Sequence, residues 1–177
     1  LRGRAKITLL LGSLGVLLVV IGFGYYKLGG FNSLQLELAE VNNYHLVGRS
    51  FEGSYQSDTV RYYFKEMKGY VEQELIDGNP VIIYDKEPEG QQGLARCFIG
   101  IKTEEETIID SLEIRKITAK KCIRVSQDAH IAVIPTPEKI DKKIRAFAAD
   151  NQLQLTGHNI EIYYPNNRMV IERPVFN

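Results

Sequence analysis

Tryptophan is absent from this 177-residue chain, and cysteine, methionine and histidine are scarce at two, two and three. Cys97 and Cys122 show no C-x-x-C spacing, and His45, His130 and His158 are scattered, so no zinc-type ligand set is present and no metal is expected. Charge of one sign is lacking too: 22 Lys and Arg stand against 22 Asp and Glu. A nucleic-acid surface needs a basic excess, so none is expected as a partner. No G-x-S-x-G surrounds Ser50, Ser54 or Ser126, and no phosphate-cradling glycine loop occurs. These absences exclude the common hydrolase and nucleotide-binding signatures, and no cofactor is expected.

One stretch lacks charge altogether. After a basic stub of Arg2, Arg4 and Lys6, residues Ile7 to Tyr26 run 20 positions without Asp, Glu, Lys or Arg. As a helix this spans about 30 Å, the thickness of a bilayer's hydrocarbon core. A cleaved signal peptide has a shorter apolar region and a small-residue cleavage site, whereas this run ends in Phe23-Gly24-Tyr25-Tyr26-Lys27. The sequence therefore predicts a single-pass transmembrane helix in residues 1–27, with Tyr25 and Tyr26 as interfacial aromatics. The basic stub puts the N-terminus in the cytoplasm and the rest of the chain outside. Gly12, Gly15, Gly22 and Gly24 form no G-x-x-x-G spacing, so helix dimerisation is not indicated.

Residues 28–33 read as a linker, and 34–177 as one domain with a substantial core. Without Arg2, Arg4 and Lys6 the remainder carries 19 basic against 22 acidic residues, near −3. Leu34, Leu36 and Leu38 alternate with polar residues as in a strand, and Tyr44 to Phe51 is a second strand. Asp58 can cap a helix with Val60, Phe64, Met67, Val71 and Leu75 on one face, which Gly78-Asn79-Pro80 ends. Val81–Asp85 is a strand, Lys86–Gly93 a polar loop and Leu94–Lys102 another strand. Strands follow at 112–117, 122–125 and 129–134. Thr136-Pro137-Glu138 starts a helix with Ile140, Ile144, Phe147 and Ala148 on its apolar face. Strands at 160–164 and 169–172 flank a Pro165-Asn166-Asn167 turn. Glu172 could be a second carboxylate, but beside Arg173 its plainer reading is exposed, and Glu104-Glu105-Glu106 reads as a solvated turn. Cys97 and Cys122 have two readings: a pair of buried thiols, or a disulfide if the domain lies outside the cytoplasm.

The grammar repeats. Gly78-Asn79-Pro80-Val81-Ile82-Ile83-Tyr84 matches Gly157-His158-Asn159-Ile160-Glu161-Ile162-Tyr163 one to one. The expected fold is α+β: an N-terminal transmembrane helix, then two tandem strand-helix-strand-strand repeats, about 34–102 and 112–177, with joined antiparallel sheets. A groove between the halves is the expected ligand site. Ile82 and Tyr84 share one strand face, as do Glu161 and Tyr163. If those faces line the groove, a carboxylate among aromatics suits a cationic or aromatic small molecule. If they do not, Glu161 points to solvent from a half-exposed sheet.

Val47 to Tyr55, then Ile83-Tyr84-Asp85 before a Pro-Gly loop, then Ile160-Glu161-Ile162-Tyr163, resemble the GyrI-like (effector-binding, SHS2-repeat) domain over about Leu36 to Phe176. Arg96-Cys97-Phe98-Ile99-Gly100 and Leu155 through Tyr163 are most similar to its membrane-anchored branch, which includes a testis-expressed ER-phagy receptor. The resemblance implies a two-repeat barrel-like fold and a ligand groove at Glu161, Tyr163 and Tyr84. It implies a cytosolic domain, against the charge bias. The acidic tail and DNA-binding segment of relatives are not matched, nor is the tryptophan common in the family's groove. Three functions follow in order: a membrane-anchored small-molecule-binding domain, an accessory subunit of a membrane protein complex, and a hydrolase of electrophilic small molecules using Glu161.

Overall fold

The structure is a computed structural model that describes residues 2–54, 57–86, 94–127, 130–166 and 168–176, with side chains from Leu11 onward except those of Ala95 and Ile131. In chain order the elements are α1 (Arg2–Lys27), β1 (Gln35–Glu40), β2 (Tyr44–Ser54), α2 (Asp58–Glu72), β3 (Asn79–Lys86), β4 (Leu94–Thr103), β5 (Glu113–Ile117), β6 (Lys121–Ser126), α3 (Pro137–Asp150), β7 (Asn159–Tyr163) and β8 (Met169–Pro174). The strands form one eight-stranded antiparallel sheet in the order β1-β6-β8-β7-β3-β4-β2-β5.

That order is a palindrome. β2, β4 and β3 of the first half stand where β6, β8 and β7 stand in the second. The strand that opens each half does not pair within it: β1 pairs with β6, and β5 with β2. Each opening strand thus covers the outer edge of the other half, which ties the halves together from both ends. The centre is the β3–β7 ladder, with Ile82 directly opposite Glu161. These two residues are also equivalent in the sequence repeat, so the pseudo-twofold axis passes between them.

Alternation along the strands divides the core by face. On one face α2 lies over β2, β4 and β3, packing Met67, Phe64 and Val71 against Val47, Ile82, Tyr84 and Ile99. On the same side α3 lies over β6, where Ile140, Ile144 and Ala148 meet Ile123, Val125 and Ile171. The other face holds Tyr44, Leu46, Ile83, Phe98, Ile117, Ile160 and Ile162. This second face is concave. The Tyr44 hydroxyl of β2 donates to Glu172 of β8 at 2.9 Å, though four strand steps separate them, about 19 Å in a flat sheet.

Several elements differ from expectation. α2 is capped by Ser57, whose hydroxyl accepts from the Thr59 N–H at 3.2 Å, and Asp58 is its first residue. The helix ends at Glu72 rather than at Gly78, because Glu74 takes a left-handed φ of 57° and the Leu75 N–H turns back to the Tyr70 carbonyl. Leu75 is consequently exposed. The strand expected at 129–134 is instead a 3₁₀ turn over Ile131–Val133; Ala129 lies outside the described residues. His130 sets that turn: its carbonyl accepts from Val133 N–H and its Nδ1 from Ala132 N–H. The loop expected at 87–93 also lies outside the described residues.

α1 is a 26-residue helix, and from Leu11 to Tyr26 its large apolar side chains are exposed. Among the residues with described side chains, which begin at Leu11, no helix is long and apolar enough to cross a membrane.

Gly48 of β2 pairs with Gly100 of β4 so closely that a Cβ at Gly48 would press into the Ile99 carbonyl oxygen and the Gly100 Cα. Backbone atoms cannot move aside as a flexible side chain can. Gly48→Ala is expected to cost about 1–3 kcal/mol, read as a lowered urea midpoint at an unchanged slope.

Candidate functional site

The strand face expected to line a groove between the halves is the helix side of the β3–β7 ladder, where α2 packs on β3. Glu161 stands on β7 and is half-buried, not on an open face. The Tyr163 hydroxyl donates to Glu161 Oε2 at 2.7 Å. The Tyr163 ring meets Phe64 of α2 edge-on, with centroids 4.8 Å apart. Tyr84 is on the same face, 8% exposed, and pairs with Asn159 in the ladder. Glu161, Tyr163 and Tyr84 thus share one face, with Phe64 as a wall that the sequence marked only as helix core. Strand alternation brought the first three together; the packing of α2 on β3 brought the fourth.

Cys97 lies on this face opposite Tyr84. Burial, with the charges of Asp85 and Glu161 added, pushes its thiol up to about 11. Cys122 is on the concave face, its thiol also raised to about 11 by burial and then by Glu172. Both thiols are buried and free, which settles the two readings of the pair.

Two polar clusters on the concave face were not read from the sequence. In the first, Arg115 of β5 reaches Asp85 of β3 through two bonds, one of 2.9 Å, and His158 Nδ1 lies 2.9 Å from Asp85 Oδ1. Burial alone would raise the Asp85 carboxyl, but the Arg115 and His158 contacts outweigh it and hold it below its usual range. In the second, Glu172 is 1% exposed, so the exposed position expected for it is wrong, and its neighbour Arg173 is 6% exposed. Glu172 accepts from Tyr44 at 2.9 Å and from Arg124 Nε at 2.8 Å. Burial and the neighbouring Glu172 raise the Tyr44 phenol well above its usual value. Arg173, on the helix side, bonds Asn159 at 3.2 Å and Asp141 at 2.9 Å. The signal for these burials was weak, because a charged residue on a strand reads as exposed until its partner from a distant strand is known. Glu104, Glu105 and Glu106 are exposed as expected. Among the described residues no group of three or more His, Cys, Asp or Glu could hold a metal ion.

The same fold occurs in solved structures. SAV2435, described as bound to tetraphenylphosphonium, superposes with a TM-score of 0.53 at 13% identity, over 81% of this chain and 94% of that one. The EcmrR C-terminal domain gives 0.53 at 13%, over 81% and 98%. A hydrolase from Listeria innocua gives 0.54 at 8%, over 80% and 92%. No family model and no curated protein matches the chain. The likeness is therefore one of fold, shared with SAV2435 and the EcmrR C-terminal domain.

Asp85 gives the fold an acid limit. Its folded pKa lies below the unfolded value of about 3.9, so its stabilising contribution is full above that value and is lost as pH falls through the folded pKa. Asp85→Asn is expected to lower stability at pH 7 and to flatten the loss on acidification below about pH 4. Urea midpoints measured across that range check both effects.

Proposed function

We propose that this chain is a membrane-anchored small-molecule-binding domain that takes a cationic or aromatic ligand in the groove between its halves. The observation that carries this reading is the half-buried Glu161 on the pseudo-twofold axis, bonded by Tyr163 and faced by Phe64 and Tyr84. A carboxylate removed from bulk water attracts a cation more strongly than one on the surface, and aromatic faces add to that attraction. That SAV2435 is described with tetraphenylphosphonium supports the choice of ligand class.

Anchoring rests on α1. Its sequence holds 20 uncharged residues from Ile7 to Tyr26, and its large apolar side chains from Leu11 onward are exposed. A bilayer is the environment that such a surface fits. This matches the membrane-anchored branch that the sequence resembles. The basic stub favours an outside domain and that branch a cytosolic one. A cysteine introduced at exposed Glu105 separates them, since both native thiols are buried: labelling of intact cells by a membrane-impermeant maleimide means outside, and labelling only after lysis means cytosol.

A second reading has its own observation. Tyr163 already bonds Glu161 and Phe64 packs on Tyr163, so the groove is partly filled by its own side chains. That filling suits an accessory subunit that docks on a membrane partner.

Titration of the full chain with tetraphenylphosphonium decides between them. The binding reading expects saturable binding that Glu161→Gln weakens about tenfold or more, a loss typical of removing one partner of a charge contact. Tyr163→Phe should have a smaller effect. Affinity unchanged in Glu161→Gln would remove Glu161 from the site, and no saturable binding would favour the accessory subunit.

A further inference from the structure

The chain leaving α1 does not run on as a free tether; it turns back on the helix. Gly29 takes a left-handed φ of 76°, which glycine adopts without a Cβ clash. That turn sends the Gly29 N–H to the Tyr26 carbonyl at 3.0 Å and the Gly30 N–H to the Tyr25 carbonyl at 2.9 Å. The two bonds make a glycine-closed helix end, which satisfies carbonyls that the last turn would otherwise leave open. The reversal lays Gly30 against the Tyr25 ring, where a Cβ would press into ring carbons. Phe31 then meets the same ring edge-on, with centroids 4.9 Å apart.

The reversal is also held from the domain. The Leu28 carbonyl accepts from His130 N–H at 2.9 Å, and the Gln127 side-chain amide donates to the Asn32 carbonyl at 2.7 Å. The Asn32 N–H closes on the Gly29 carbonyl at 2.9 Å. Residues 28–32 are therefore fixed by bonds on both sides, to α1 and to the segment that follows β6. Despite its contact with Tyr25, the Phe31 ring is 72% exposed.

What covers that ring follows from the surface it continues. Phe23, Tyr25, Tyr26 and Leu28 are exposed along the end of α1, so Phe31 extends the helix's apolar surface and is not a separate patch. Lys27 is the first charge after the uncharged run and marks its upper limit. Tyr25 lies two residues before it, about 3 Å lower along the helix axis. Because the chain doubles back, Phe31 stands beside Tyr25 and not beyond Lys27. That is the level at which aromatic rings gather in membrane-spanning helices, between hydrocarbon and headgroups.

We propose that Phe31 is a lipid-inserting side chain, held by the reversal after α1 at the depth of Tyr25 in the interfacial layer of a bilayer. The proposal rests on the anchored reading of α1 but not on the Glu161 groove. It makes residues 28–32 an ordered membrane contact of the domain in place of a flexible linker.

Because the chain has no tryptophan, Phe31→Trp places a single indole at the site. The full chain is reconstituted in phosphatidylcholine vesicles whose acyl chains carry bromine either near the headgroup or near the methyl end. Emission from position 31 is expected to shift to the blue of free tryptophan. Shallow bromines should quench it most, deep bromines less and aqueous acrylamide least. Strongest quenching by acrylamide or by the deep bromines overturns the proposal. Phe31→Trp combined with Gly30→Ala tests the reversal, since the added Cβ drives the Tyr25 ring aside. The combined variant is expected to lose shallow quenching and gain acrylamide quenching; an unchanged pattern means that the reversal does not set the depth and overturns the proposal. Phe23→Trp, within α1, reads the anchor separately. Lipid quenching at position 23 without lipid quenching at position 31 overturns the Phe31 proposal alone. No lipid quenching at position 23 overturns the anchored reading, and the Phe31 proposal with it.

Discussion

The β3–β7 ladder is the constraint on which the rest depends. Its paired residues, from Val81 opposite Ile162 to Tyr84 opposite Asn159, are what fuse two half-sheets into one. The pair on the axis is the one place where the halves meet as equivalents, and there they differ: Ile82 on one side, Glu161 on the other. An apolar residue opposite a carboxylate cannot satisfy it, so Tyr163 does, and Phe64 then holds Tyr163. A slip of one residue would move Glu161 and Tyr84 to the opposite face. The groove's chemistry is thus a property of register before it is one of side chains.

A second asymmetry shapes the concave face. In the second half a row of paired residues runs Glu37, Arg124 and Glu172; the matching row in the first half runs Glu113, Gly48 and Gly100. One half therefore carries a partly buried ion pair where the other has glycines at both positions. Arg124 and Glu172 lie 2.7 Å apart, and Tyr44 adds a bond from across the sheet. Such a pair contributes little net stability, because desolvation offsets much of the attraction, yet breaking one side of it is costly. Its geometric consequence is firmer: Tyr44 can reach Glu172 only if the sheet curls. Asp85 and Arg115 bridge the same face from β3 to β5, which holds the curl from the other half.

Much of the element order was legible because it is written in local periods. The two alternating stretches that open each half, the apolar faces of α2 and α3, and the match of Gly78–Tyr84 to Gly157–Tyr163 all follow from side-chain spacing. Spacing along one strand also brought Glu161 and Tyr163 to one face. Illegible were features made by partners distant in sequence: the exchange of β1 and β5 between halves, the burial of Glu172 and Arg173, and the Asp85–Arg115–His158 cluster. The end of α2 was misread because nothing in the residue types forces Glu74 into a left-handed turn.

By itself, then, the sequence determined the repeat, its α+β content, the apolar character of α1 and the residue types available on each strand face. Those are set by covalent order and by periods of 2 and 3.6 residues, which act over one or two turns of chain. The tertiary structure alone decided which carboxyls are buried, which thiols lie on opposite faces, and that the linker after α1 is tied to the segment following β6. Burial and charge pairing depend on through-space distance, and distance between remote residues exists only once the sheet has closed.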